Sequence, residues 1–414
     1  MLRDRAAIPT DLSDRESSAP RILAVRLDNV GDMVMLGPAL RAVRRAYPSA
    51  SVTLLSSPAG ASVAPLLPWV DEVLTHRALW QDARGELPLD PERELDLVRV
   101  LASRRFHAAL IFTSFSQSPL PPAYVCFLAG IPIRAGQTDR FGGSVLSPAL
   151  RAAPWAAHQV DRNLHLVEGM GIPAAGRHLE LRVPADAEVG ADALLGRVGL
   201  APDRPFIVVA PGASCSARRY DPARFGVIAA ELGRLSAYPV LLVGSEREHG
   251  IESEVLAAAW QRGPSPVSIV GQTTIPELAA IIARSALVVS NDSAAMHIAD
   301  AFARPIVVLF SGTDLESQWR PRQSRARLLR IATPCAPCYR FDCPYGNACL
   351  DIPAERVVDE CLRLLADETQ WRVPDSPTPE FDGDSQFDGD SHEPAHPHVA
   401  RPRQLPVLPR AGAP

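Results

Sequence analysis

The sequence predicts an α/β protein: two successive series of alternating strands and helices, each building its own mainly parallel sheet, the two sheets facing across a cleft. Three observations predict it. Short apolar, β-branched runs recur at residues 22–27, 52–55, 107–112, 206–210, 240–243, 286–289 and 305–310; near-continuous apolarity at strand length marks strands covered on both faces. Stretches with helical spacing separate them. The series also stops at the Pro-broken stretch 181–205 and starts afresh, and 414 residues are enough for two cores.

Taken in order, residues 1–20 mix charges with Pro and Ser without periodicity and read as a disordered leader. The first strand, 22–27, is followed by the turn Asp28-Asn-Val-Gly-Asp32 and a helix over 33–47, closed by Pro48. Strands at 52–55 and 70–74, an amphipathic helix at 95–105 and a strand at 107–112 complete what is legible of an N-terminal domain over 21–200. The break near Pro202 opens a C-terminal domain over 201–367. It runs strand 206–210, turn 211–214, helix 222–235, strand 240–243, strand 268–270, helix 275–284, strand 286–289, strand 305–310 and closing helix 353–365. The segment 368–414, with Phe381-Asp-Gly-Asp-Ser385 nearly repeated at Phe387, cannot bury a core and reads as a disordered tail.

Composition narrows the function classes. Hydrophobic residues make up 47% and charged residues 21%, and 42 basic against 47 acidic side chains leave a net charge of −5, which argues against nucleic acid as a partner. The sequence has no apolar run of membrane-spanning length and no apolar segment near Met1, so a cytoplasmic location is expected.

Candidate chemistry sits where strands end. After the strand at 286–289 come Asn291, Asp292 and Ser293, residue types that start helices, then Ala294 and, one turn later, His297. Free N–H groups at such a start suit an anion. Asp32 follows the first strand and is a candidate general base; the competing reading is that it only caps its helix. Gly212 and Ser214 in the matching turn of the second half can form a concave anion site, with Arg218 or Arg219 as a phosphate partner. Glu246, one strand on, could accept from sugar or ribose hydroxyls. A lone Gly31 is no dinucleotide fingerprint, so hydride transfer is not supported.

Together these stretches resemble glycosyltransferase family 9, the ADP-heptose:lipopolysaccharide heptosyltransferase family. The likeness rests on Arg21-Ile-Leu-Ala-Val-Arg-Leu-Asp-Asn-Val-Gly-Asp-Met-Val, Pro211-Gly-Ala-Ser with Arg218-Arg-Tyr, Val270-Gly-Gln-Thr-Thr-Ile-Pro-Glu-Leu and Ser290-Asn-Asp-Ser-Ala-Ala-Met-His, in this order across residues 21–366. It implies a GT-B architecture, two Rossmann-like domains with the donor held mainly by the second, and inverting, metal-independent sugar transfer. The implied donor is an ADP-sugar, and the implied acceptor a hydroxyl of a lipopolysaccharide core or similar bacterial glycan. Catalysis would need no cofactor. Asp32 matches the family's candidate base, Arg218 stands where a phosphate-binding Lys is usual, and Tyr220 where Trp is common. Glu246 matches a donor-contacting acid, and Asp292, Ser293 and His297 match an Asp-Thr-Gly-x-x-His segment in which Ala294 replaces Gly. That replacement and Arg218 leave open a GT-B enzyme with another donor and acceptor. A non-catalytic nucleotide-sugar-binding module would not need Asp32.

Cys335, Cys338, Cys343 and Cys349 are spaced C-x2-C-x4-C-x5-C. They could hold a structural zinc or pair in an oxidising setting; reduced, packed thiols are the reading preferred for a cytosolic enzyme. The basic run 319–330 reads as a solvated Arg-rich loop rather than a lipid- or phosphate-binding element. Peripheral contact with the inner membrane face is left as an expectation for a glycolipid acceptor.

Overall fold

The computed structural model describes residues 19–366 except 83, 116, 202, 203 and 237. The leader before residue 19, the break at Pro202 and the tail with its Asp-Gly-Asp repeats lie outside the described residues.

The first half contains β1 (Arg21–Arg26), α1 (Val30–Ala46), β2 (Ser51–Ser56), α2 (Pro58–Ala61), β3 (Glu72–Thr75), α3 (Pro91–Arg104), β4 (Ala108–Ile111), α4 (Leu120–Leu128), β5 (Ile133–Gln137), β6 (Ala149–Leu150), α5 (Gln159–Gly169) and α6 (Ala185–Arg197). The second contains β7 (Ile207–Ala210), α7 (Pro222–Leu235), β8 (Val240–Leu242), α8 (His249–Trp260), β9 (Val267–Ser268), α9 (Ile275–Arg284), β10 (Leu287–Asn291), α10 (Ala294–Ala301), β11 (Ile306–Leu309), α11 (Glu316–Trp319), β12 (Ala326–Leu329) and α12 (Ala354–Ala366).

The sheets run β3-β2-β1-β4-β5-β6 and β12-β11-β10-β7-β8-β9, and every named pair is parallel. Each half therefore starts at a central strand, runs outward one way, then returns to the centre and runs outward the other way. Period-two alternation then sorts the side chains. In β1, Ile22 and Ala24 face one apolar layer while Leu23 and Val25 face another. In β7, Val208 and Ala210 face the first of these layers, and Ile207 and Val209 a third. The inner faces of both sheets thus feed one continuous core, which also takes Met33 and Leu36 of α1 and Met296 and Ile298 of α10.

Two readings needed correction. The helix read from Met33 begins at Val30, because Asn29 is its N-cap and Asp32, third in the helix, closes the capping box. Gly31 and Asp32 are therefore helical rather than part of a turn. The basic run is a loop over residues 320–325: α11 ends at Trp319 and β12 takes up Ala326–Leu329. Its arginines are committed, Arg322 to Asp161, Arg330 to Glu316 and Arg327 to Glu360. The physical reason is the alternation Arg325-Ala326-Arg327-Leu328, which suits an edge strand with one wet face. The strands and helices between residues 118 and 180 carried no clear punctuation.

Candidate functional site

In both halves the central strands are where successive connections leave in opposite directions, and such a switch point opens a crevice at the strands' carboxyl ends. In the first half β1 and β4 part there, in the second β7 and β10. The helices that follow, α1 and α10, lie against each other: a methyl group placed on Gly31 would meet Cδ2 of His297 at 2.6 Å. The two crevices therefore meet.

On the first side, Arg26 ends β1 with its side chain wholly buried. Its guanidinium reaches Asp28 at 2.6 Å, Asp32 at 2.7 Å, the Ser114 hydroxyl at 2.6 Å and Asn163 at 3.2 Å. Ser114 also donates to Asp32 Oδ1 at 2.8 Å, while Asp32 Oδ2 accepts the Asn29 N–H at 3.3 Å. Asp32 does cap its helix, but with one oxygen only. Burial pushes the Asp28 carboxyl up to about 6 although Arg26 pulls it down.

On the second side, the buried Asn291 organises the loop 211–220. Its amide donates to the carbonyls of Pro211 at 2.7 Å and Gly212 at 3.3 Å, and its oxygen accepts the Tyr220 N–H at 3.0 Å. Arg218 donates to Thr313 Oγ1 at 3.1 Å, pairs with Asp314 at 2.5 Å and lies 4.0 Å from Asp292. Burial opposes the Arg218 charge, but the two carboxylates outweigh it and hold its pKa above the ordinary value. Asp292 is buried, with Oδ2 lacking a hydrogen-bond partner among the described residues, and burial raises its carboxyl to about 6 against the pull of Arg218. Burial holds the His297 ring down to about 4, so it is neutral at pH 7. Ser293 caps α10 by its backbone, with no side-chain bond to the helix.

Comparison with known proteins follows this geometry. The family model described as glycosyltransferase family 9 (heptosyltransferase) matches residues 96–349, more than half of the chain. The chain belongs to glycosyltransferase family 9. It is 27% identical over 363 residues to lipopolysaccharide heptosyltransferase 2 of Salmonella typhimurium, covering 84% of this chain and 99% of that protein. Among solved structures it resembles a family 9 glycosyl transferase from Veillonella parvula, with TM-score 0.69 and 19% identity over 85% of this chain and 99% of that one. It also resembles the E. coli ADP-heptose lps heptosyltransferase II, with TM-score 0.66 and 24% identity over 84% and 100% of the respective chains. At those identities the two structures speak for the fold, which is GT-B.

The structure of this family 9 glycosyltransferase brings Asp32, Asp292, His297 and Arg218 to the meeting crevices, with Ser293 and Ala294 at the start of α10. Ser214 is exposed on the neighbouring loop. Glu246 is different. It is exposed at the start of a short 3-10 turn, Glu246–Glu248, and it is Glu248 whose carboxylate crowds Gly212, within 1.7 Å of where a Cβ would stand. Glu248 also accepts the Ser245 N–H at 2.6 Å. Sequence reasoning missed Glu248, Arg26 and Ser114, and read Asn291 as a helix-start residue rather than as the organiser of the 211–220 loop. A signal existed for Arg26, an arginine inside an otherwise apolar strand.

The four clustered cysteines line one small cavity with Gly312 and Thr313, and all are free thiols. Among the described residues, no group of three or more His, Cys, Asp or Glu side chains is placed to hold a metal ion. Their loop braces the crevice instead: Tyr339 N–H donates to the Thr313 carbonyl at 2.8 Å, and Asn347 donates to the Ser216 carbonyl at 2.9 Å. No helix among the described residues is long and apolar enough to cross a membrane.

Proposed function

We propose that this glycosyltransferase moves a heptose, or a closely related sugar, from an ADP-sugar to a hydroxyl of a lipopolysaccharide core or similar bacterial glycan. The Salmonella relative and the E. coli neighbour, by their names, support that substrate class. One observation carries the assignment of roles: the α1–α10 contact at Gly31 and His297, which puts a carboxylate from one half beside an anion-suited helix start from the other.

Asp32 takes the proton of the acceptor hydroxyl, and the oxygen attacks the anomeric carbon from the face opposite the leaving nucleotide, inverting its configuration. The start of α10 at Ser293 and Ala294, the loop with Gly212 and Ser214, and Arg218 meet the charge developing on the leaving diphosphate, in place of a metal ion. Asp292 and His297 line the same site, Glu246 in the turn after β8 receives donor hydroxyls, and Glu248 stands beside Gly212. A glycolipid acceptor at the inner membrane face suits the outer surface of α4, where Tyr124, Phe127 and Leu128 are exposed, and the adjacent loop with Phe141, 97% exposed, and Arg140.

The test is Asp32→Asn, assayed with ADP-heptose and truncated lipopolysaccharide cores carrying no heptose or one heptose, in the presence and absence of chelator. A general base contributes about 10²- to 10⁴-fold, so kcat should fall by roughly that factor with ADP binding retained. Unimpaired transfer would remove Asp32 from this role. Thermal-shift comparison of ADP-, GDP- and UDP-sugars checks the donor, with ADP-sugars expected to stabilise most.

A further inference from the structure

We propose that Arg26 is a positioning residue for Asp32, and that Asp28 balances its charge so that Asp32 remains an effective base. The proposal rests on the reading of Asp32 as the base.

The geometry is a closed ring. Arg26 binds Asp28 and Asp32; Asp28 accepts from Gln117 Nε2 at 2.5 Å; Gln117 Oε1 accepts the Ser114 N–H at 2.8 Å; and the Ser114 hydroxyl returns to Asp32 and Arg26. A further brace comes from α5, where Asn163 accepts from Arg26 and donates to the Met35 carbonyl at 3.0 Å. Every side chain in the ring is thereby held in one orientation. A buried ion cluster of this kind is poorly explained by stability, since well-packed apolar side chains of similar volume commonly serve a fold as well or better.

The ring also distinguishes the two oxygens of Asp32. Oδ1 already accepts from Arg26 and Ser114, whereas Oδ2 has only the 3.3 Å contact with the Asn29 N–H. Oδ2 is therefore the atom that receives the acceptor proton. The acceptor oxygen's electron pair forms the new bond to the anomeric carbon, and the bond from that carbon to the diphosphate oxygen breaks with its pair staying on the phosphate.

A guanidinium bonded to a carboxylate alone would lower its proton affinity. Here one guanidinium is shared by two carboxylates at 2.6 and 2.7 Å. The other charged or titratable groups facing this cluster are His297 and Asp292 from the second half and Arg162 from α5, which faces Arg26. None of these changes in the variants below.

The experiment is the pH dependence of kcat and KM with ADP-heptose and whichever truncated lipopolysaccharide core, without heptose or with one heptose, the unaltered enzyme accepts, for Asp28→Asn, Arg26→Met, Arg26→Lys and Ser114→Ala. Asp28→Asn should move the acidic limb to lower pH by roughly one unit and lower plateau kcat by about threefold, with donor KM unchanged. Arg26→Met should move the limb the opposite way, and Arg26→Lys should restore part of the shift. Ser114→Ala should lower kcat without moving donor KM. Limbs that stay in place, or move together, overturn the proposal; a merely structural ring would lower activity without opposed shifts. If Arg26→Met does not fold, the direction of the Asp28→Asn shift decides. An inactive Asp32→Asn beside unmoved limbs refutes this proposal alone, whereas an active Asp32→Asn removes the base reading on which it rests.

Discussion

Arg218 offers a perturbation whose cost can be worked out before any substrate is added. Its guanidinium lies 2.5 Å from Asp314 and 4.0 Å from Asp292, whose side chains are 9% and 3% exposed; its own side chain is 25% exposed. Removing one partner of a buried ion pair costs about 3–5 kcal/mol because the other charge is left unpaired. Partial exposure of Arg218 brings the expectation for Arg218→Ala to about 3 kcal/mol, roughly a hundredfold in the folding equilibrium. The effect should depend on pH, with a definite sign. A carboxyl whose folded pKa lies above its unfolded value binds more protons in the folded state, so stability falls as pH rises from the ordinary carboxylate range through the folded value. Asp292 already sits near 6 in the intact protein, and loss of Arg218 moves it higher. Urea unfolding followed by tryptophan fluorescence should therefore show a larger loss at about pH 8 than at about pH 5. A loss below about 1 kcal/mol, or one equal at both pH values, would refute the argument that Arg218 neutralises this acid pair.

Two further outcomes follow from the crevice. Gly31→Ala forces a methyl group to within 2.6 Å of the His297 ring, so overpacking should cost about 1–3 kcal/mol, and the thermal midpoint should fall. Asn291→Ala frees the Pro211 and Gly212 carbonyls and the Tyr220 N–H; each unmet buried group costs about 1–3 kcal/mol, and calorimetry should show weaker ADP binding as the loop loosens.

Much of the fold was legible because strands covered on both faces are nearly continuous apolar runs, as at Ile207–Ala210 and Leu287–Asn291. The helix at Ile275–Arg284 has the span read from the sequence, and the structure starts it with a capping box of Thr274 and Glu277. The stretch holding α4, β5, β6 and α5 did not, since prolines at its helix start and a two-residue strand leave no clean period. In the crevice, residues at strand ends could be named, but their partners could not. Ser114 lies 82 positions from Asp32, and Asn291 lies 80 from Pro211. Only topology joins such pairs. Glu246 and Glu248 sit two positions apart in one 3-10 turn, and the turn's direction, invisible in sequence, decides which carboxylate meets Gly212.

The continuous core beneath α1 and α10 bears on how the enzyme begins a turnover. Prising the halves apart would expose apolar surface, at a cost of about 25 cal/mol per Å². Folding itself sets the two strand-end crevices against each other, so the orientational entropy of bringing their residues together is met there. What can enter is then set by the gap between the starts of α1 and α10, where Ala294 is the first residue of its helix.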